Sequence, residues 1–281
     1  MNRGKGTLYL IPTPIGNLGD ITLRALETLR SVPVIACEDT RTTAKLLNHY
    51  DIKGKRLISY HKFNEQQRVS EIVDILSAGE DIAICSDAGS PGISDPSLIV
   101  IRESLGKDIR VEALPGATAL IPALTASGLD SSAFTFLGFL PTKGKELNAK
   151  LERIRTACET VILYESPHRI YKTLEAIYQV CGDRDIVLAR EISKIYEEYL
   201  RGKLSQFLTE RDITEKGEFV ILVGAGEKVH EIDTEAAASL IRQRLSEGCK
   251  TQEIISELIS TQGVSKNEAY RMITEAKHNR V

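Results

Sequence analysis

The sequence carries no surplus of positive charge: 36 Lys and Arg stand against 39 Asp and Glu, a formal net charge of -3. Its pI is about 6.0. A basic field over the whole molecule, the usual footprint of a nucleic-acid binder, is missing, and only a local patch would serve such a partner. Cysteine is sparse and shows no pairing pattern. Cys37, Cys85, Cys158, Cys181 and Cys249 are odd in number, scattered and without C-x-x-C spacing, which argues against a disulfide framework and for a reducing compartment. Cys37 and Cys85 close apolar runs and read as small buried hydrophobes. No stretch approaches the roughly 20 apolar residues needed to span a bilayer. The opening "MNRGKGTLYLIPTPIGN" breaks its short apolar run at Pro12, so a signal peptide is not expected and a cytoplasmic location is.

Familiar ligand signatures are absent too. There is no G-x-G-x-x-G, and the "GAG" at Gly224–Gly226 lacks the third glycine of a dinucleotide site. No G-x-x-x-x-G-K-[ST] marks a phosphate loop, and no H-E-x-x-H a metalloprotease helix. His49, His61, His168, His230 and His278 are far apart in sequence, so no catalytic metal is expected.

What is present is a 281-residue chain, 42% hydrophobic and 27% charged, long enough for two domains and an appendage without disulfide staples. Short apolar runs rich in β-branched residues recur at Thr7–Ile11, Val32–Cys37, Arg56–Tyr60, Asp81–Cys85 and Ile109–Leu114. Between them, Leu23, Leu26 and Leu29 share one helical face, and Val69, Ile72, Val73 and Leu76 share another before Gly79. Such alternation predicts a mostly parallel sheet covered by helices. Further strands are expected at Phe134–Leu140, Glu159–Ser166, Arg184–Ile192 and Gly217–Gly226, with helices at Lys145–Thr156 and His168–Val180 and more antiparallel pairing. The polar, turn-prone Thr125–Ser132 marks the seam between the two halves. The expected domains are therefore 1–125, 126–228 and 229–281. The last contains three helices, Glu235–Ser246, Gln252–Thr261 and Lys266–His278, and no strand. A Ser265–Glu268 capping box and the "TQGVS" turn make its last two helices a helix-turn-helix candidate, and a small packing or dimerisation domain is the alternative.

Three loops rich in Pro, Gly and small residues follow strands of the first half: Ile11–Asp20, Ser86–Asp95 and Leu114–Leu120. Loops at the carboxyl ends of parallel strands are where open α/β sheets place their ligands. In the second, Gly89 and Gly92 let the backbone approach a ligand, Pro91 stiffens the turn, and Asp95-Pro96 suits a helix start. A tight strand-to-helix connection is the alternative reading, but it needs fewer residues.

"PTPIGNLGDIT", "ACEDTR", "SDAGSPGISDP", "LPGATA", "GFLP", "YESPHR", "LAREISK" and "KGEFVILV" occur in one order between residues 7 and 223. Together they resemble the tetrapyrrole-methylase superfamily of S-adenosylmethionine-dependent methyltransferases. The resemblance is nearest to the branch acting on the ribose 2′-hydroxyl of cytidine 1402 in 16S ribosomal RNA of the small subunit. It implies two α/β domains with the methyl donor in the cleft between them, and a homodimer. Carried over to this chain, it implies donor contacts from Asp87, Ala88, Gly89, Ser90, Ile93, Ala117 and Thr118, and from Pro14, Tyr164, Glu165 and Ser166.

A ribose hydroxyl is a poor nucleophile and calls for a base. "CEDTR" offers Glu38, Asp39 and Arg41, and "YESPHR" offers His168 and Arg169 beside Glu165. Glu38–Thr40 also reads as a helix cap, and His168–Arg169 as a helix start after Pro167. Lys143, Lys145, Lys150 and Arg153, followed by Arg155, form a candidate phosphate-facing segment or an ordinary solvated helix face. Methylation of a small, precorrin-like tetrapyrrole is the second functional reading, and a non-catalytic nucleic-acid regulator built on the C-terminal helices is the third.

Overall fold

The computed structural model describes residues 4–93, 97–226, 234–262, 264 and 266–278. The helix start expected at Asp95–Pro96, and the cap expected between the Ser265 and Glu268 side chains, lie outside the described residues. The chain divides into two compact units, Met1–Ala225 and Gly226–Val281.

The larger unit contains two five-stranded sheets. In the first, β1 (Thr7–Ile11), β2 (Val34–Cys37), β3 (Arg56–Ser59), β4 (Ile82–Cys85) and β5 (Arg110–Ala113) take the order β3-β2-β4-β1-β5, all parallel. β2 and β4 are buried at every position. That explains why they read as continuous apolar runs rather than alternating ones. Helices α1 (Leu23–Ser31) and α2 (Thr40–His49) cover one face through Leu26, Leu29 and Leu46, packed on Ile35 and Ile11. On the other face, α3 (Glu65–Ser77) and α4 (Ser97–Gly106) bury Ile72, Leu76 and Val100 against Leu8, Ile82 and Ile84.

Past α5 (Leu120–Ser127) and its left-handed cap Gly128, the chain enters the second sheet, so the stretch Thr125–Ser132 takes in the end of α5 and the turn leading to β6. Its strands are β6 (Phe134–Phe139), β7 (Thr160–Glu165), β8 (Asp185–Arg190), β9 (Glu198–Lys203) and β10 (Phe219–Val223). Their order is β6-β7-β10-β8-β9, with only the β6–β7 pair parallel. Helices α6 (Lys145–Thr156), α7 (Ile170–Cys181) and α8 (Leu204–Glu210) close one face, while α5 closes the other together with Ile15 from the loop after β1. That last contact carries the first sheet's loop onto the second sheet. β9 and α8 were not expected from the sequence. "EYLRGK" carries three charged residues, Glu198, Arg201 and Lys203, because β9 is an edge strand, where charged side chains are tolerated and discourage further pairing.

The smaller unit is helical: α9 (Thr234–Ser246), α10 (Thr251–Gln262) and α11 (Lys266–His278) surround Ile241, Ile254, Leu258 and Ile273. Arg244 joins α9 to α10 by a two-pronged pair with Glu257, at 2.9 and 2.7 Å. This fork-to-fork geometry is the strong form of an Arg–carboxylate contact.

Ile221, in the middle of β10, is fully buried. Ile221→Ala should destabilise the full-length chain by about 2–5 kcal/mol and Ile221→Val by about 0.5–1.5 kcal/mol. Guanidinium unfolding followed by circular dichroism would rank parent, Val and Ala in that order; equal midpoints would contradict the packing.

Candidate active site

Because β1, β4 and β5 run parallel and side by side, the loops that follow them emerge on one edge of the sheet. Hydrogen bonds lace them together there. Thr13 and Gly89 exchange both backbone bonds at 2.9 Å, an isolated antiparallel bridge between the loops after β1 and β4. Thr13 Oγ1 donates to the Ser86 carbonyl at 2.9 Å, and Ser86 Oγ donates to the Gly89 carbonyl at 2.9 Å. Ser90 Oγ reaches the third loop, donating to the Ala117 carbonyl at 3.1 Å. Glycine is required at two of these points. Gly89 holds φ at +81°, a left-handed conformation costly to a β-branched side chain. At Gly116 a Cβ would lie 2.7 Å from Pro12 Cβ, so the first and third loops can approach this closely only without one.

These loops wall a cavity of about 610 Å³, closed on the other side by residues of the second sheet. Asp87, Ala88, Gly89, Ser90 and Ile93 line it from the loop after β4, and Thr118 from the loop after β5. Tyr164, Glu165 and Ser166 line it from the end of β7. Two expected residues stand just behind the wall: Ala117 supplies the carbonyl that holds Ser90, and Pro14 adjoins the Thr13 bridge. Phe139, in the "FLGF" segment from which the resemblance also implies backbone contacts, lines the cavity, as do Ile15, Ile192, Glu218, Phe219 and Val220, which the residue-level reading missed. Phe139 and Glu218 sit inside the quoted "GFLP" and "KGEFVILV". Their approach to the first sheet depends on a strand order that the pattern does not show.

The chemistry of the walls is one-sided. Glu38, Asp87, Glu165 and Glu218 contribute four carboxylates, of which Glu165 is paired with Arg169 at 3.4 Å and Glu218 with Lys194 at 3.0 Å from behind the wall, and no Lys, Arg or His occurs among the described residues lining the cavity. Apolar walls focus such a field. Phe139 and Phe136 meet the Tyr164 ring edge-on, at 5.8 and 4.9 Å between centroids. Burial pushes the Tyr164 phenol up, and the Thr118 side chain and Leu120 backbone pull it part of the way back. The arrangement suits an organic cation with apolar flanks and disfavours a phosphate.

Glu165 is buried and fully engaged. Thr173 Oγ1 donates to it at 2.6 Å, the Ser166 amide at 2.8 Å, and Arg169 stands 3.4 Å away. Arg169 also donates to the Leu140 carbonyl at 2.7 Å, so it ties β7 to the end of β6 and does not line the cavity. His168 is exposed, within the short helical turn Pro167–Arg169 that precedes α7. Asp39 caps α2, accepting from the Arg41 amide at 2.8 Å and from the guanidinium at 2.6 Å. The hydrogen bond from the Arg41 side chain leads in lowering its pKa to about 2. So weak a base is ill matched to taking a proton near neutrality. Its amide donates to Asp87 Oδ1 at 3.0 Å, which makes it a support for the loop after β4. Of the acid–base candidates, only Glu38 and the fully engaged Glu165 line the cavity.

The basic segment divides as well. Lys143, Lys145 and Arg153 are exposed, whereas Lys150 donates to the Leu137 and Phe139 carbonyls at 2.7 and 2.8 Å, fastening α6 to the end of β6. Below the loops, Cys37 and Cys85 are buried as expected, and burial raises the pKa of both thiols.

The sequence pattern of the family described as Tetrapyrrole (Corrin/Porphyrin) Methylases matches residues 7–208. A protein of Halalkalibacterium halodurans named Ribosomal RNA small subunit methyltransferase I is 42% identical over 274 residues, covering 95% of this chain and 94% of its own. Its namesake in Bacillus subtilis is 41% identical over 275 residues, covering 94% and 93%. Among solved structures, uroporphyrin-III C-methyl transferase of Thermus thermophilus complexed with S-adenyl homocysteine superposes with a TM-score of 0.56 at 18% identity, over 78% of this chain and 97% of that one. A diphthine synthase superposes with a TM-score of 0.62 at 13% identity, over 78% and 90%. At these identities the two structures speak for the fold.

The Asp39–Arg41 pair predicts a pH effect of definite sign. Asp39 titrates at about 2 in the folded chain, against about 3.9 for an unfolded aspartate. Its contribution to stability is present above the unfolded value and is lost as pH falls from there through about 2. Asp39→Asn should therefore lower stability at neutral pH and lose less of what remains between about pH 4 and 2. Urea midpoints across that window would check it; parallel curves would contradict the assignment.

Proposed function

The chain belongs to the tetrapyrrole methylase family, and from that premise we propose that it 2′-O-methylates cytidine 1402 of 16S ribosomal RNA in the small subunit. It is a methyltransferase, and its methyl donor is S-adenosylmethionine. The observation that carries the reading is the cavity: apolar walls and four carboxylates, with no cation among the described residues lining it, match a donor that is a sulfonium cation. The rRNA substrate is supported by the relatives' name and by their coverage of nearly the whole chain.

S-adenosylmethionine supplies a methyl group already activated by its sulfonium. This chain contributes alignment, worth up to about 7–11 kcal/mol when two reactants are held ready. The laced loops carrying Asp87–Ser90 and Thr118 hold one side of the donor site, and Tyr164–Ser166 the other. Glu38 is the carboxylate we assign to take the ribose proton as the new oxygen–carbon bond forms. Asp39, Arg41, Glu165 and Arg169 act as supports.

The tetrapyrrole reading fares worse on the same observation. Precorrin-like substrates carry several carboxylates, and this cavity offers them no cation among its described lining residues and keeps Glu38 and Asp87 beside the paired Glu165 and Glu218. A ribose hydroxyl needs only a neutral sugar to enter while the phosphates stay outside. The regulator reading leaves this cavity without a use. Lys143, Lys145 and Arg153, being exposed, keep the phosphate-facing role we assign to them. A homodimer, a cytoplasmic location and the division at 1–125, 126–228 and 229–281 complete the proposal. No helix among the described residues is long and apolar enough to cross a membrane.

Unmodified small subunits incubated with methyl-labelled donor should acquire label in a 2′-O-methylcytidine, mapped by nuclease digestion. Label only in an offered precorrin would overturn the RNA reading. Gly89→Val should abolish donor binding by calorimetry with an unchanged circular-dichroism spectrum, and tight binding would remove that loop from the site. Glu38→Gln should lower kcat by roughly 10²–10⁴-fold with donor affinity retained; full activity would dismiss Glu38 as the base.

A further inference from the structure

The cavity leaves a problem unsolved: RNA needs a grip outside it, since its described lining offers no cation and four carboxylates. The loop after β3 is placed to supply one. β3 pairs with β2 in a register that sets Ser59 beside Cys37, and the Tyr60 amide donates to the Cys37 carbonyl at 2.8 Å. The residue that follows β2 is Glu38, on the cavity wall. The turn after Tyr60 therefore leaves the same carboxyl edge, one strand spacing, about 5 Å, farther out.

That turn is built to hold an aromatic ring in water. Asn64 closes it from both sides, its Oδ1 accepting from the His61 amide at 2.8 Å and its Nδ2 donating to the Ser59 carbonyl at 3.0 Å. The Asn64 amide donates back to the His61 carbonyl at 2.9 Å, and the Phe63 amide to His61 Nδ1 at 3.2 Å. Two aromatic residues in this short stretch then meet opposite fates: Tyr60 is 2% exposed and Phe63 is 93% exposed. The His61 and Phe63 rings stand at 65° with centroids 6.0 Å apart, and the exposure of Phe63 leaves its ring accessible to a flat partner. Isolated exposed apolar side chains are ordinary. This one has three further attributes: a turn closed by four hydrogen bonds, a place on the same sheet edge as the loops that wall the cavity, and an exposed cation next to it in sequence. Lys62 is its exposed neighbour in sequence, and Arg41, at the start of α2 after the adjacent strand, is 86% exposed while paired with Asp39.

We propose that Phe63 is a stacking platform for a nucleobase flanking the reacting nucleotide, with Lys62 contacting the adjoining phosphate. Single-stranded RNA is held in this way, by splayed bases on aromatic faces and phosphates on cations. The inference rests on the RNA reading above and deepens it. It assigns to the edge of the first sheet a substrate contact that the quoted motifs do not include.

The test is steady-state methylation of unmodified small subunits by the full chain and four variants, with donor binding measured in parallel. Phe63→Ala should raise KM for the subunits by roughly 10-fold, the scale of one lost base–aromatic stack, with kcat and donor Kd within about twofold of the parent. Phe63→Tyr should match the parent, because it keeps the ring. Phe63→Leu should behave as Ala, because an apolar side chain without a π face cannot stack. Lys62→Ala should reduce the salt dependence of KM by about one ion's worth. A parental KM for Phe63→Ala overturns the proposal, and so does a parental KM for Phe63→Leu, which would mean an apolar protein contact instead. If the parent methylates subunits while Phe63→Ala is indistinguishable from it, this inference alone fails. If the parent methylates no RNA, the functional reading fails first and this inference with it.

Discussion

Two backbone hydrogen bonds between Thr13 and Gly89 hold the site in one piece. They fasten the loop after β1 to the loop after β4, and the Thr13 and Ser86 hydroxyls lock the same junction from the side. From there the consequences spread outward. Ser90 takes hold of the third loop, and the close approach at Gly116 seats that loop on Pro12. Ile15, three residues beyond Pro12, enters the core under α5 and so brings the second sheet to the cavity. Without this junction the three loops would be separate connections on a parallel sheet. With it they form a wall fixed before any ligand arrives, and a fixed wall is what an alignment-driven reaction requires.

Charge is sorted around that wall. Carboxylates face the cavity, and the cations near it are occupied in holding the frame or stand outside. Arg41 straps Asp39, Arg169 ties Glu165 to Leu140, and Lys150 pins the end of β6. The overall charge of -3 therefore conceals a functional division. On the proposed reading, a sulfonium donor meets this interior and a polyanionic substrate is met outside it. No basic field over the whole molecule is needed when the grip is a few exposed cations and one aromatic face.

Much of the fold was legible because the strands of the first sheet are short apolar runs, β2 and β4 buried at every position, and helices such as α1 and α3 bury one apolar stripe. Edges were harder to read: the charges of β9 hide an edge strand, and α8 is too short to show a period. In the site, residues brought together by chain neighbourhood, such as Asp87–Ser90 and Tyr164–Ser166, were within reach of a motif. Glu218 and Val220 were not, since their place depends on β10 inserting between β7 and β8. The capping alternative for Asp39 was visible in "CEDTR". Choosing it over a catalytic role took the Arg41 pairing, which no spacing reveals. Phe63 escaped notice for the opposite reason, since a lone aromatic in "HKFNE" is informative only once its exposure is known.

The central claim is that the laced loops and the end of β7 together hold the methyl donor. Hydrogen–deuterium exchange on the full chain, with and without saturating S-adenosylmethionine, tests it most directly. The account predicts slowed exchange in peptides spanning 86–93, 114–120 and 160–166, with 40–49 and the C-terminal helices unchanged. Saturable donor binding with protection confined to other segments, or with those three unprotected, would contradict it.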